Sequence, residues 1–380
     1  MKEVIADLGL NTAIIAGVFM ISFVIQLFYY LIVFSRVFRK SPELNKKLRK
    51  HPPVSVIICA HNEGENLEKK LPFYLEQDYP EYEVIVVDDR STDHTADVLD
   101  QLKNKYHHLK VSRIENETKL LKGKKLALTL GIKSAKHPYI LLSDADCEPA
   151  GKLWIRYMMR NYREDTTVVL GVGLYRKKNS LLNLLIRFET AFIAMQYISF
   201  TRLSIPYMGV GRNLSYRKEA FFKNKGFASH LKLESGDDDL FVSEISKGKN
   251  TEIETHPGSF TYSEPETRWR NWFRQKKRHL TTSGYYQSSI RFLLGLEYLS
   301  RMSLAVSFIL LLIDFAYPEY LLYSFSFILL VKAVFFKIAF NRFNEKFLFL
   351  PSIIMEPFMP WLYGFLHILN YIDRKRSRWN

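Results

Sequence analysis

Cysteine is nearly absent from this chain of 380 residues, which contains only Cys59 and Cys147. Two cysteines, both at the ends of predicted strands, supply neither a disulfide framework nor a zinc-binding cluster. The sequence is therefore compatible with a catalytic domain that faces a reducing compartment such as the cytosol.

The glycine-rich signatures of the common nucleotide-binding folds are also missing. Neither Gly-x-Gly-x-x-Gly nor Gly-x-x-x-x-Gly-Lys-Ser/Thr follows the first predicted strand, residues 54–60. This absence argues against a dinucleotide-binding Rossmann domain and against a P-loop NTPase. A nucleotide bound here would need a metal and basic side chains to neutralise its pyrophosphate. Lys122, Lys124 and Lys125 are candidates, although lysines of this kind also occur in solvated loops.

Acidic residues are too few to balance the basic ones, because the chain has 39 Asp and Glu but 54 Lys and Arg, which gives a net charge of +15. Such a surplus could indicate nucleic-acid binding. Much of it, however, flanks apolar segments, which favours a membrane surface as the partner. We therefore expect membrane lipids, and no nucleic acid, among the partners.

The N-terminal part of the chain reads as a membrane anchor over residues 1–36. No charged residue occurs between Asn11 and Ser35, and a bilayer-spanning helix needs about 20 apolar residues. The run is too long for a signal-peptide core and lacks a cleavage site, so we expect it to be retained. Residues 37–52 form a basic juxtamembrane linker, which by the positive-inside rule places the following domain in the cytoplasm.

The last quarter of the chain, residues 291–380, predicts a membrane region of two to three helices with a basic tail. Met302 to Ile313 and Leu321 to Phe340 read as two helices joined around Tyr317. Lys332 and Lys337 lie late in the second helix, where they can extend to the cytoplasmic surface. Residues 347–369 contain Pro351, Glu356, Pro357 and Pro360, and we expect a broken, non-spanning or hairpin arrangement there.

Between these regions, residues 53–265 have the pattern of an α/β domain. Short β-rich runs at residues 54–60 and 83–87 alternate with helical stretches at about 63–76 and 91–102. This alternation predicts a doubly wound sheet, whose ligands bind at the carboxyl ends of the strands. Polar residues of the expected kind stand at these ends: His61, Glu63, Asp88, Asp89, Asp144 and Asp146.

Asp144 and Asp146 follow the apolar run 139–143 and are two positions apart. Residues at this spacing in a strand point to the same face, so the two carboxylates should project together. Hard oxygen ligands suit Mg²⁺ or Mn²⁺, which is usually held by one or two carboxylates and the phosphates of a substrate. The alternative is a solvated Asp-x-Asp turn.

Seven motifs together resemble the family 2 glycosyltransferases, which are inverting enzymes of the GT-A fold that use nucleotide-diphosphate sugars. The resemblance extends from about Val54 to Leu280, and its C-terminal motif, residues 275–279, is similar to one in membrane polysaccharide synthases. The segments that carry it, in chain order, are residues 57–63, 86–93, 123–128, 144–146, 209–217, 236–240 and 274–279.

The resemblance implies roles for individual residues on the donor side. His61, Glu63 and Asp89 would line the pocket for the base and ribose, with Asp88 in support. Asp144 would contact the nucleotide or sugar, and Asp146 would ligate the metal, Mg²⁺ or Mn²⁺. Lys124 matches the loop lysine of the family, and a UDP-sugar is the favoured donor.

The resemblance also assigns the catalytic base and the acceptor side. Asp237 aligns with the base that deprotonates the acceptor hydroxyl, and Asp238 is the reserve candidate. One acid of the group 237–239 is expected to cap the helix that follows rather than to take part in catalysis. The residues implied on the acceptor side are Gly211, Asn213, Gln275, Arg278 and His279. Val210 and Arg212 depart from the common form of their motif, and His279 stands where tryptophan is usual.

Two helical stretches remain open. The apolar stripe of residues 180–200 predicts core packing or, alternatively, contact with the bilayer or acceptor. Residues 266–290 mix aromatic and basic side chains, which indicates an interfacial amphipathic helix. We expect an integral-membrane, metal-dependent glycosyltransferase acting on a lipid-linked or polysaccharide acceptor. The alternatives are a non-processive enzyme that adds one sugar and, in another class, an inactive membrane scaffold.

Overall fold

The computed structural model describes residues 9–41, 51–115, 124–316 and 318–376. It divides the chain into two compact units, Arg39–Tyr286 and the pair of segments Met1–Phe38 and Gln287–Asn380. Several predicted features lie outside the described residues, namely the basic cluster 46–50, Lys122 with Gly123, Tyr317 and the end of the basic tail at 377–378.

The larger unit is built on a seven-stranded mixed sheet. Its strands are β1 Val54–Ala60, β2 Tyr82–Asp89, β3 Leu109–Ile114, β4 Tyr139–Asp144, β6 Val168–Leu170, β8 Leu214–Arg217 and β9 Thr251–Ile253. Their order in the sheet is β3-β2-β1-β4-β8-β6-β9. Strands β1 to β4 are parallel, whereas β8 is antiparallel to both β4 and β6. The apolar run of β1 is almost entirely buried, as expected for a strand covered on both faces.

A second sheet of three short strands follows the end of β4. Its order is β5-β10-β7, with β5 Cys147–Pro149, β7 Gly173–Tyr175 and β10 Thr261–Ser263. Cys147 pairs with Ser263 in the antiparallel register. This sheet fixes the chain immediately after Asp146, and so it defines one side of the acidic strand end.

The helical stretches predicted at about 63–76, 91–102 and 180–200 agree with helices of the larger unit to within a few residues, whereas the short helices at 154–159 and 218–223 were not predicted. Within the predicted interfacial region 266–290, the α-helix of this unit covers 269–280. The helices of the larger unit are α2 Gly64–Leu75, α3 Thr95–Lys105, α4 Lys125–Ser134, α5 Trp154–Met159, α6 Leu181–Arg202, α7 Lys218–Lys223, α8 Asp239–Ile245 and α9 Trp269–Leu280. The predicted doubly wound α/β class is confirmed.

Helix α6 is long and apolar enough to cross a membrane, yet most of it is buried inside its own unit. Phe188, Ala191 and Ile198 have no exposed surface. Glu189 is also buried, and its carboxylate forms an ion pair with the ammonium of Lys276 on α9 at 2.6 Å. Core packing therefore explains the apolar stripe of this helix.

The smaller unit contains long helices with apolar exteriors. They are α1 Leu10–Phe28, which continues as a π-helix Tyr29–Val33 and a 3-10 turn Phe34–Phe38, α10 Ser288–Ile313, α11 Pro318–Arg342 and α12 Phe349–Arg376. Within the described part of the chain, the three segments Leu10–Phe38, Ser288–Ile313 and Pro318–Arg342 join α6 in being long and apolar enough to cross a membrane.

Of the arrangements expected at residues 347–369, the break and the hairpin are wrong, because α12 is continuous through Pro357 and Pro360. The third, a non-spanning helix, stays a prediction. Pro360 has no N–H to offer the carbonyl of Glu356, and the Arg301 guanidinium donates to that carbonyl instead, at 3.4 Å. Tyr298 donates its hydroxyl to the carbonyl of Pro360 at 2.5 Å. The Arg301 side chain thus satisfies the carbonyl that Pro360 leaves without its helical donor, and Tyr298 adds a further bond to the helix at Pro360.

Four charged side chains and a tyrosine meet in the buried interior of this unit, and we refer to them as the helix-unit charge cluster: Tyr30, Glu297, Arg301, Lys332 and Glu356. The Glu356 carboxylate accepts from Lys332 at 2.8 Å and from Tyr30 at 3.1 Å. Arg301 pairs with Glu297 at 2.6 Å and lies 3.6 Å from Glu356. The expectation that Lys332 extends to the surface is therefore wrong, because an acid inside the unit holds it.

Candidate functional site

The loops after β1 and β2 turn sharply at Asn62 and Arg90, which have φ values of 56° and 58°. Side-chain bonds join the two loops. His61 donates from Nδ1 to the carbonyl of Asp89 at 2.6 Å, and the Asn62 amide oxygen accepts from the N–H of Thr92 at 2.8 Å. The ends of these two neighbouring strands therefore form one rigid edge, on which the predicted nucleotide residues lie.

The three acids on this edge have different surroundings. Asp88 is buried and accepts from the N–H of Ser91 at 3.1 Å, so it stabilises the turn. Asp89 contacts Arg90 Nε at 2.8 Å. The Glu63 carboxylate accepts from the Asn66 amide at 2.6 Å.

Asp144 is the last residue of β4, and its carboxylate accepts from Lys124 Nζ at 2.6 Å. Burial raises the pKa of Asp144, but Lys124, Arg212 and Arg278 outweigh that effect and leave it below the ordinary value. Asp146 differs, because burial and the negative charge of Asp144 raise its pKa to about 6. The predicted pair of carboxylates is therefore brought together, with its mutual repulsion only partly relieved.

A divalent cation fits this position. Asp144, Asp146 and Cys147 each offer a ligand atom, and these atoms lie within 4.8 Å of one another. The Cys147 thiol is a poor ligand, since burial raises its pKa well above the ordinary value and its sulfur contacts the Ser263 hydroxyl at 2.9 Å. The two carboxylates remain, and hard oxygen ligands of this kind suit Mg²⁺ or Mn²⁺.

The acidic group 237–239 separates into three distinct environments. Asp238 caps α8, accepting from the N–H of Asp239 at 2.7 Å and from the N–H of Gly211 at 2.8 Å. Burial and the adjacent charges of Asp237 and Asp239 raise its pKa to about 7. Its capping bonds count against Asp238 as the reserve candidate for the base, because its two oxygens hold the helix and the loop together.

Asp239 is occupied as well, because its carboxylate accepts from the hydroxyls of Thr282 at 2.6 Å and Tyr286 at 2.8 Å. Asp237 has the weaker contact, at 3.7 Å from Lys124 Nζ. Of the three acids, Asp237 is the one whose described contacts do not fix a backbone or a neighbouring helix.

Lys124 joins the two acidic groups, since its ammonium contacts both Asp144 and Asp237. Burial lowers its pKa, but these two carboxylates reverse the effect and raise it well above the ordinary value. One cation thus links the end of β4 to the loop before α8, and it keeps Asp144 and Asp237 close to each other.

Two buried lysines support this arrangement in roles that the sequence did not predict. Lys125 was expected as a candidate for neutralising the pyrophosphate, and that expectation is wrong because its ammonium is buried and bonded inside the unit. Lys125 is fully buried and donates to the carbonyls of His230, Leu233 and Ser235 at 2.9, 2.5 and 2.8 Å, which positions the loop leading to Asp237. Lys70, on α2, donates to the carbonyl of Asp146. The sequence gives no signal for either role, because the carbonyls that they bind are distant along the chain.

The loop Gly211–Asn213 precedes β8 at the carboxyl end of β4. Asn213, expected on the acceptor side, is fully buried. Its amide donates to the carbonyls of Val172 at 2.9 Å and Ser259 at 2.7 Å and accepts from the Trp154 indole at 3.1 Å. The Asn213 side chain therefore does not face an acceptor. Its amide holds the loop in shape, because both its nitrogen and its oxygen are bonded inside the unit.

Helix α9 carries Gln275, Arg278 and His279, the remaining residues expected on the acceptor side, while its Trp272 is buried. Surrounding protein and the positive charges of Lys276, Arg278 and Arg212 lower the pKa of His279 to about 3. The imidazole is therefore neutral at physiological pH. The positive charges of Arg212 and Arg278 lower the pKa of both His279 and Asp144. This end of α9 therefore lies near the acid pair.

Comparison with known proteins gives three findings. Residues 55–223 match the model of the family described as glycosyl transferase family 2. The chain is 30% identical over 251 residues to the probable glycosyltransferase YdaM of Bacillus subtilis strain 168, a match that covers 63% of this chain and 57% of that protein. It is 29% identical over 167 residues to the poly-beta-1,6-N-acetyl-D-glucosamine synthase of Staphylococcus epidermidis strain RP62A, which covers 43% of this chain and 39% of the synthase.

Among solved structures, the mannosyltransferase PcManGT from Pyrobaculum calidifontis, in complex with GDP-Man and Mn²⁺, aligns over 91% of this chain and 98% of its own. The TM-score is 0.59 and the identity 18%, so the likeness concerns the fold. The matched parts span 57% and 39% of the two curated relatives, roughly half of their length.

Proposed function

The chain carries a family 2 glycosyltransferase domain with the GT-A fold, and from this premise we propose that it transfers a sugar, with inversion, from a nucleotide-diphosphate sugar to a lipid-linked or polysaccharide acceptor. The observation that carries the proposal is the bridge from Lys124 to both Asp144 and Asp237. A donor held at Asp144 would then lie beside a carboxylate able to activate an acceptor hydroxyl.

The donor half of the proposal rests on the edge formed by β1, β2 and β4. His61, Glu63, Asp88 and Asp89 would receive the nucleoside, for which we favour uridine. Asp144 and Asp146 would hold Mg²⁺ or Mn²⁺, which supplies positive charge to a leaving diphosphate. The PcManGT structure contains Mn²⁺ and a nucleotide sugar, which supports a divalent ion for a domain of this fold.

The transfer itself needs one base. The acceptor oxygen forms a bond to the anomeric carbon while the bond from that carbon to the diphosphate oxygen breaks, and the acceptor proton passes to Asp237. Lys124 would stabilise the negative charge that develops on the departing diphosphate. Asp237 suits the role of base because its described contacts include no helix-capping bond of the kind that Asp238 makes and no bond to the segment after α9 of the kind that Asp239 makes.

The membrane setting is part of the proposal. The apolar helices of the smaller unit would anchor the enzyme as an integral membrane protein, with the catalytic unit in the cytoplasm as the basic linker predicts. We retain the organisation into a 1–36 anchor, a 37–52 linker, a 53–265 catalytic domain, a 266–290 interfacial region and a 291–380 membrane region. A lipid or glycan acceptor is consistent with the similarity to a polysaccharide synthase.

The test uses the purified full-length chain in lipid nanodiscs with Mn²⁺, membrane lipid extract and a panel of UDP-, GDP- and CDP-sugars. We expect transfer or slow hydrolysis of one donor class, with UDP-sugars first, and dependence on the divalent ion. Asp237→Asn serves as the matched control, since it should bind the same donor without transferring from it. Failure of every nucleotide sugar to bind in the presence of Mn²⁺ would refute the proposal.

A further inference from the structure

Arg212 is the residue in the Gly211–Asn213 loop that departs from the family motif, and its surroundings hold the side chain rigidly. Its Nη2 donates to the carbonyl of Gly173 at 3.0 Å, and the guanidinium lies over the Tyr175 ring at 4.5 Å from the centroid. A Cβ atom on residue 173 would come within 2.3 Å of Arg212 Nε. The side chain therefore occupies space that only glycine leaves open.

The backbone at Arg212 is fixed as firmly as its side chain. The carbonyl of Arg212 accepts from the hydroxyl of Ser143 on β4 and from that of Thr261 on β10, each at 3.1 Å. The residue is thus tied to both sheets of the unit. A guanidinium placed in this way loses little entropy when it binds a ligand, because its position is set before the ligand arrives.

The guanidinium of Arg212 forms no ion pair with a carboxylate of the described residues, although its positive charge lowers the pKa of Asp144 and opposes the rise in that of Asp146. Its direct partners are the carbonyl of Gly173 and the side chain of Tyr175, which it contacts through the ring and through a hydrogen bond. Its Nε is buried without a hydrogen-bond partner. A cation in this state favours an anionic ligand, and the planar guanidinium matches the oxygens of a phosphate.

Sheet order decides which side of the site this cation serves. The nucleotide residues lie at the ends of β1 and β2, whereas Arg212 precedes β8, which borders β4 on the side away from β1. The acid pair at the end of β4 separates the two. On the same side as Arg212, the end of α9 adds Arg278 and a neutral His279 whose pKa both arginines depress.

We propose that Arg212, with Arg278, binds a phosphate group carried by the acceptor, close to the hydroxyl that is glycosylated. This inference rests on the proposed function and deepens it, because it names the acceptor as a phosphate-bearing alcohol or glycan. The phosphate has two possible sources, a lipid head group and a soluble glycan or polyol phosphate, and both present the same oxygens to the guanidinium.

The experiment compares two matched probes, an alkyl glycoside and the same glycoside with a phosphate monoester, each in a butyl and a long-chain form. Calorimetry on the full-length protein with UDP and Mn²⁺ measures their binding without turnover. We expect wild type to bind the phosphorylated probe at least about tenfold more tightly, as charge-assisted bidentate bonds allow. Arg212→Gln should remove this preference, Arg212→Lys should keep part of it, and Arg156→Gln, at an exposed ion pair with Asp78, should leave it unchanged.

Donor affinity provides the second readout and establishes that each variant is folded. Arg212→Gln should bind the nucleotide sugar within about threefold of wild type. A tenfold loss of donor affinity would assign Arg212 to the donor diphosphate and overturn the inference, and so would equal affinity of wild type for the neutral and phosphorylated probes. Preference confined to the long-chain form identifies a lipid phosphate, and preference in both forms a soluble one. Wild type that binds no nucleotide sugar refutes the proposed function instead.

Discussion

The two units of the chain each contain a cluster of charged side chains, and the clusters differ in how their charges are compensated. In the helix-unit charge cluster, Glu297 and Glu356 are matched by Arg301 and Lys332, and all four are buried. At the end of β4 and in the loop before α8, Asp144 and Asp237 share one lysine, Lys124. Asp146 forms no ion pair within the described residues, and the side chains of this site are partly accessible to water. Charges that balance one another hold helices together, whereas accessible acids left in excess are suited to a ligand.

The largest effect that this comparison predicts follows from Asp146→Ala. We expect metal-dependent donor binding to be lost, because the diphosphate would face Asp144 without an adequate cation site. Calorimetry with a nucleotide sugar, with and without Mn²⁺, measures the change. Undiminished Mn²⁺-dependent affinity would show that Asp146 does not hold the metal.

The same variant should not lose folding stability, which sharpens the contrast. A carboxyl group whose pKa is raised to about 6 in the folded state, against about 4 when unfolded, stabilises the fold below pH 4. That contribution is lost as pH rises to about 6. Asp146→Ala should remove this decline, which thermal melting without divalent ions between pH 4 and 7 would reveal.

The next largest effect is expected when the charge balance of the helix-unit charge cluster is broken. Glu356→Leu leaves Lys332 buried without its acid, and we expect the free energy of unfolding to fall by about 3 to 5 kcal/mol, the usual cost of breaking a buried pair. Melting in detergent measures it. The double variant Glu356→Leu with Lys332→Leu should recover part of the loss, because Arg301 and Glu297 remain paired. A double variant as unstable as the single one would contradict the charge-balance explanation.

Asp237→Asn tests the acid whose described contact is the one with Lys124. We expect transfer to fall by about 100-fold or more, the scale of losing a general base, while donor affinity and melting temperature stay unchanged. Asp238→Asn is the comparison, and it should mainly cost stability, by about 1 kcal/mol, because the amide keeps one of the two oxygens that accept from the N–H groups of Gly211 and Asp239. Normal transfer by Asp237→Asn together with loss in Asp238→Asn would move the base by one position.

The smallest effect concerns His279, which is neutral above about pH 3. A neutral imidazole offers less surface for stacking on a sugar than an indole does, so we expect short products or one sugar per encounter. His279→Trp should keep activity and lengthen the products, and the pH profile between 5 and 8 should not change. The measurement is product length on a defined lipid acceptor with excess donor, and a long polymer made by wild type would contradict the expectation.

The sequence was sufficient for those features that depend on local pattern. Periodicity and strand ends predicted the buried run of β1, the polar residues that follow β1, β2 and β4, and the approximate bounds of α2, α3 and α6. The motifs also placed Asp144 and Asp237 on separate elements without showing that Lys124 joins them. Periodicity could not reveal the partners of Lys125, Asn213 or Lys332, because those contacts depend on side chains or carbonyls far along the chain. The bond that satisfies the carbonyl left open by Pro360 in α12 depends in the same way on a distant side chain, that of Arg301.

The two glycines on either side of Val172 have a consequence for how sequences of this kind can vary. A Cβ on residue 171 would lie 2.4 Å from the Asn213 side chain, and one on residue 173 would lie 2.3 Å from that of Arg212. Mutation at either glycine alone is therefore blocked by steric overlap, and a larger residue at 173 becomes possible only after 212 has become small. Positions 173 and 212 should accordingly vary together in size among related sequences, so the acquisition or loss of the arginine during evolution requires a specific order of two substitutions.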